Sequence, residues 1–228
     1  WATSKRHKVM AACALLLAAK EVCVDDVRSL AGRLCFLLSA IPVMRVFLRP
    51  LWLVTVGTHR RGRERLHVST PLRACATFWT SLHGQRLATR WWPMGTTSRV
   101  WRGTTDASAV GAGWGQLQCP DGSTLPRLSL PLSPEDVRKG SAVRESVAVT
   151  AVLRYLGDTR RPPPHVQSGD TIDLLLDAMV VTFAISHGTA RAADLVAELS
   201  LTALALLDMP PVRFTTRWIS RDLNDDAD

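Results

Sequence analysis

No two of the five cysteines, Cys13, Cys23, Cys35, Cys75 and Cys119, form a Cys-x-x-Cys pair; they are odd in number and widely spaced. That excludes a zinc site built on cysteine pairs and a disulfide framework, and leaves small buried side chains in a reducing compartment as the expectation. A membrane-length apolar run is missing too. Val9–Ala19, behind Lys5-Arg6-His7-Lys8, imitates a secretory leader. It falls short of the ~20 apolar residues a bilayer requires, and no small-residue cleavage site precedes Lys20 and Glu21. We therefore expect an intracellular chain, cytoplasmic or nuclear, without a membrane partner. Trp1 at the start leads us to expect a piece of a longer polypeptide. Phosphate loops are absent as well. The stretch TTDASAVGAGWG at 104–115 is glycine-rich, but Gly111, Gly113 and Gly115 have neither dinucleotide-fingerprint nor P-loop spacing, and no lysine follows. These glycines read as turn residues that also let neighbouring strands pass close together.

What is present is a substantial core and excess positive charge. The 228 residues are 46% hydrophobic, enough for one large domain or two modest ones. With 28 Lys and Arg against 20 Asp and Glu, the net charge of +8 favours a polyanionic partner, because phosphate backbones release counterions to a basic surface. Part of that charge sits in His59-Arg60-Arg61-Gly62-Arg63-Glu64-Arg65, either a solvated loop or a nucleic-acid contact.

Residues 1–50 read as helical. Val9–Lys20 is rich in Ala and Leu, and Val24–Ile41 sets Val27, Leu30, Leu34, Leu37 and Leu38 at three- and four-residue intervals, with Asp25 and Asp26 at its start and Pro42 at its end. Leu51–Val56 fits a strand or a helix, 57–67 a loop, and 72–92 a helix through Phe78, Leu82 and Leu87. After Pro93 the texture changes. Val100–Asp106 and Gly113–Cys119 read as strands joined by a tight turn, and Leu125–Leu130 as a third. A helix over 137–156 stops at Gly157. The apolar strand Thr171–Asp177, a short helix to Ser186, a helix over 190–207 and a strand over 212–219 complete the pattern. Hairpin strands followed by alternating helices and strands predict a mixed sheet covered by helices.

Acids recur at the edges of these elements: Asp106 at a strand end, Glu145 in a helix, Asp177 at the end of an apolar strand, and Asp228 in RDLNDDAD. Singly, each reads as structural or solvated. Converging from separate elements, they are how a protein holds hard divalent cations.

In order and content the motifs resemble the ribonuclease H domain of retroelement reverse transcriptases, especially those of tyrosine-recombinase (DIRS-like) retrotransposons. The first motif is Thr105–Ser108 with Gly113–Gly115, and the second is Glu145-Ser146-Val147-Ala148. The third is Leu174–Asp177, where Ala178 replaces the usual Asn. The fourth is Trp218-Ile219 with Asn224, Ala227 and Asp228, and His187-Gly188-Thr189 precedes a long helix as in the family. The likeness covers about 96–228. The stretch 24–52 resembles the helical segment after a polymerase palm, so 1–95 is expected to be a thumb or connection-like segment. Cys23-Val24-Asp25-Asp26 is read as the acidic start of a helix, not a polymerase Y-x-D-D hairpin.

The resemblance implies a ribonuclease H-like α/β fold: a mixed five-stranded sheet, its first three strands antiparallel, flanked by helices and lacking the C-terminal helix. It implies a hydrolase that cuts the RNA strand of RNA–DNA hybrids, with Asp106, Glu145, Asp177 and Asp228 holding two Mg²⁺ or Mn²⁺ ions. Ser108 and Arg60, Arg61, Arg63 and Arg65 would contact nucleic acid, with Arg86, Arg90 and Arg99 holding the duplex upstream. The rest of a reverse transcriptase would be its partner. Two other readings stand beside it: a non-catalytic nucleic-acid-binding or structural descendant of the fold, and a helical interaction module with solvated, separated carboxylates.

Overall fold

The computed structural model describes residues 3–38, 42–56, 64–81 and 99–224. The chain forms two compact units, one of 1–40 with 44–90 and the other of 91–228 with 41–43. Among the described residues, no helix is long and apolar enough to cross a membrane, and none of the five cysteines forms a disulfide.

In the first unit, α1 (Thr3–Ala18) leads to β1 (Glu21–Cys23) and α2 (Val24–Leu37). A 3-10 turn over Pro42–Leu48 precedes α3 (Arg49–Val56), β2 (Arg65–His67) and α4 (Thr70–Thr80). The apolar stripe expected on α2 is buried at Val27, Leu30 and Leu34. Asp25 and Asp26 occupy its first turn, where the helix dipole favours acid. Leu51–Val56 is helical. Within 57–67, Arg65–His67 forms a strand antiparallel to β1, not the loop expected there. Arg73 closes the end of α1 by donating to the carbonyls of Leu17 and Ala19 at 2.6 and 2.9 Å.

The second unit is a mixed sheet. Its elements are β3 (Val100–Ala107), β4 (Gly111–Gln118), β5 (Thr124–Leu125), β6 (Leu128–Pro131), α5 (Pro134–Val137), α6 (Ser141–Gly157), β7 (Thr171–Leu176), α7 (Met179–His187), α8 (Ala193–Asp208) and β8 (Arg213–Trp218). The strands lie in the order β5-β4-β3-β7-β8, and β6 also pairs with β4. β3, β4 and the β5/β6 pair are antiparallel, whereas β7 runs parallel to β3 and β8 parallel to β7. This is the fold class expected from the sequence, with the third strand laid down in two pieces. Pro126, which has no amide hydrogen for a ladder, falls at the break.

The core follows from period. Trp101, Gly103 and Thr105 alternate inward on the central strand β3, while Ile172, Asp173, Leu174 and Leu176 are buried on β7, between β3 and β8. On α6, Val149, Val152, Leu153 and Leu156 form a helical stripe against β3 and β4, and α8 packs along the same helix. The glycines at 111, 113 and 115 are strand residues of β4, which corrects their reading as turn residues. Ser108–Val110 makes the turn instead, with the Ser108 hydroxyl accepting from the amides of Val110 and Gly111 at 3.2 and 3.1 Å. Close strand passage does hold at Gly113, where a Cβ would run into the Leu128 carbonyl of β6.

Candidate metal centre

Parallel pairing brings two of the acids together. Thr105 on β3 is in register with Leu176 on β7, so the next residues, Asp106 and Asp177, leave the carboxyl ends of adjacent strands. Ligand sites of α/β sheets favour that end. Glu145 reaches the same point from the first turns of α6, which lies across β3 and β4. One carboxylate oxygen from each of the three lies within 4.8 Å of the others. The reading of solvated, separated carboxylates is thereby overturned.

Burial grades the three: Glu145 is 7% exposed, while Asp106 and Asp177 are half-buried. Burial pushes the Glu145 carboxyl up to about 9, helped by a hydrogen bond with Asp106 and the charges of Asp106 and Asp177. The Ala107 amide donates to Asp106 Oδ1 at 2.7 Å, fixing that carboxylate beside its own strand. Glu145 Oε2 is buried with no hydrogen-bond partner among the described residues. An orphaned acceptor costs ~1–3 kcal/mol. A hard cation with oxygen ligands would satisfy it and offset the mutual repulsion of the acids, so this donor set fits Mg²⁺ or Mn²⁺.

The acids open into a cleft of about 410 Å³ lined by Ser108, Ser141, Arg144, Glu145, Asp177 and Arg221, among others. A smaller cleft of about 130 Å³, between Asp106 and Ser129, adjoins it on the β6 side. Arg144 and Arg221 are site residues that sequence reasoning missed. The available signals were position alone: Arg144 directly precedes Glu145, and Arg221 lies between the motif residues Ile219 and Asn224.

The other expected site residues distribute differently. Ser108 lines both clefts, but its hydroxyl serves its own turn. Arg65 belongs to the first unit and faces Glu21 at 3.4 Å. Arg99 is paired at 2.8 Å with buried Asp170, which also accepts from the Trp101 indole and the Gln167 amide. Asp228, Arg60, Arg61, Arg63, Arg86 and Arg90 lie outside the described residues. Asn224, three residues before the matched Ala227, is buried and donates to the Thr105 carbonyl at 3.4 Å.

No family model and no curated protein matches the chain. Among solved structures it is similar to RNase H1 from Halobacterium salinarum NRC-1, at 17% identity and a TM-score of 0.44, over 56% of this chain and 91% of that one. It is also similar to the N-terminal RNase H domain of rv2228c from Mycobacterium tuberculosis, at 17% identity and a TM-score of 0.39, over 57% and 92%. A third likeness is the foamy viral protease-reverse transcriptase in complex with an RNA/DNA hybrid, at 12% identity and a TM-score of 0.34, over 98% of this chain and 28% of that one. Likenesses this low leave every residue role to the geometry of the site itself.

Proposed function

We infer that the chain is a metal-dependent ribonuclease H that hydrolyses the RNA strand of RNA–DNA hybrids, as part of a retroelement reverse transcriptase of the DIRS-like type. In this reading residues 96–228 are the nuclease and 1–95 a thumb or connection-like segment. The observation that carries it is the convergence of Asp106, Glu145 and Asp177 from three separate elements to within 4.8 Å.

Asp106, Glu145 and Asp177 would hold the cations, with Asp228 as a further ligand. When bound, Mg²⁺ or Mn²⁺ supplies a lowered pKa for an attacking water and positive charge for the departing 3′-oxygen. The chain's own contribution is placement. Strand register fixes the two aspartates, and the helix brings in a glutamate that surrenders a proton as the site fills. Basic residues around the cleft attract the phosphate backbone, and selectivity for RNA comes from the 2′-hydroxyl and the shape of the hybrid.

The test is cleavage of a labelled RNA–DNA hybrid in Mg²⁺ by the chain and by Asp106→Asn. The variant is expected to lose at least ~100-fold in rate, a typical loss for removing charge stabilisation at a reacting centre. Equal rates would defeat the catalytic assignment. Hybrid binding without cleavage by either protein would favour the non-catalytic descendant.

A further inference from the structure

Arg221 lines the same cleft as Asp177. Its Nε lies 3.9 Å from Asp177 Oδ2, too far for a hydrogen bond but close enough for charge attraction. The Arg221 side chain is 77% exposed and that of Asp177 only 14%, so the arginine reaches in from solvent to a mostly covered acid. It makes no side-chain hydrogen bond among the described residues.

Its backbone, by contrast, is fixed. The Trp218 indole donates to the Asp177 carbonyl at 2.8 Å, and the Ile219 amide to the Leu176 carbonyl at 2.9 Å. Beyond the 3-10 turn Arg221–Leu223, the Asn224 amide donates to the Arg221 carbonyl at 2.8 Å, and its side chain to the Thr105 carbonyl. The segment is thus pinned to the ends of the two strands that deliver Asp177 and Asp106. A movable guanidinium stands on a rigid mount. Arg144, on another wall of the cleft, is engaged at one nitrogen only: its Nη1 donates to the Val137 carbonyl at 3.2 Å, while its Nε is buried without a hydrogen-bond partner among the described residues.

We propose that Arg221 is an exchangeable counter-ion, held by Asp177 when the carboxylates lack a cation and passed to a substrate phosphate when a divalent cation takes them. This rests on reading the three acids as cation ligands. Like charges cannot share Asp177 cheaply, so an arriving cation weakens the pair. The released guanidinium already lines the cleft, and its planar fork suits a phosphate of the hybrid backbone. Arg221 is accordingly a positioning residue that also tunes cation affinity.

The experiment uses the 228-residue chain, Arg221→Gln and Asp106→Asn. Mn²⁺ alone is titrated calorimetrically, and hybrid affinity is followed against salt in Ca²⁺ with strand integrity checked on a gel. Arg221→Gln is expected to bind Mn²⁺ roughly two- to fivefold tighter without nucleic acid, the range an exposed ion pair supports. Its slope of log affinity against log salt for the hybrid should fall by about one. Unchanged Mn²⁺ affinity or an unchanged slope overturns the exchange. If Asp106→Asn weakens Mn²⁺ binding while Arg221→Gln matches the parent, only the exchange fails. If the parent binds no Mn²⁺, the cation-ligand reading beneath it fails as well.

Discussion

Glu145 holds a proton at neutral pH that an unfolded chain would have released. Burial is the main cause, followed by the hydrogen bond with Asp106 and the two neighbouring charges, and together they lift the group from 4.5 to about 9. Between those values the folded state binds more protons than the unfolded state, so stability falls as pH rises through that window. Below it both states are protonated and the penalty vanishes. Glu145→Gln, neutral throughout, is expected to flatten this decline and to exceed the parent by on the order of a few kcal/mol near pH 9. Chemical denaturation at several pH values without divalent cations measures it. The same proton must leave when a cation arrives, so Mn²⁺ affinity should climb about tenfold per pH unit below pH 9. An affinity flat from pH 6 to 8 would contradict the proton assignment.

At the scale of elements, the two strands carrying the aspartates were legible because their signals are local. β3 alternates, β7 is apolar apart from Thr171 and Asp173, and α6 repeats at helical spacing. The hairpin between β3 and β4 was misread because its turn chemistry comes from a serine hydroxyl, while the glycines serve a neighbour that sequence does not reveal. Gly113 shows this best: what forbids a side chain there is the Leu128 carbonyl, fifteen residues downstream. Gly113→Ala is expected to destabilise by about 1–3 kcal/mol through that collision, whereas Gly32→Ala, at an exposed position of α2 with open space around its Cβ, is expected to stabilise slightly. Urea midpoints of the two variants decide it. Arg221 escaped sequence reading for a related reason. Its partner lies 44 residues away and meets it only once β8 has paired with β7.

For the whole molecule, charge is the property that acts at long range. A net charge of +8 should make association with the hybrid fall steeply and linearly in log affinity against log salt. Anisotropy titrations from 50 to 200 mM salt test this, and a flat response would remove the polyanion from the list of partners. The convergence of the site, in turn, was legible only as far as the resemblance supplied it. Nothing local to Asp106, Glu145 or Asp177 states that they meet; the parallel register of β3 with β7 brings the aspartates together, and the packing of α6 across the sheet adds the glutamate. That arrangement also bears on how such a protein drifts over generations. Backbone pairing, indifferent to most side chains, aligns Asp106 with Asp177. A lineage can therefore rewrite much of the surface and still inherit the alignment. A lineage under relaxed selection would be expected to forfeit an acid by direct substitution well before it loses the frame that gathers the acids.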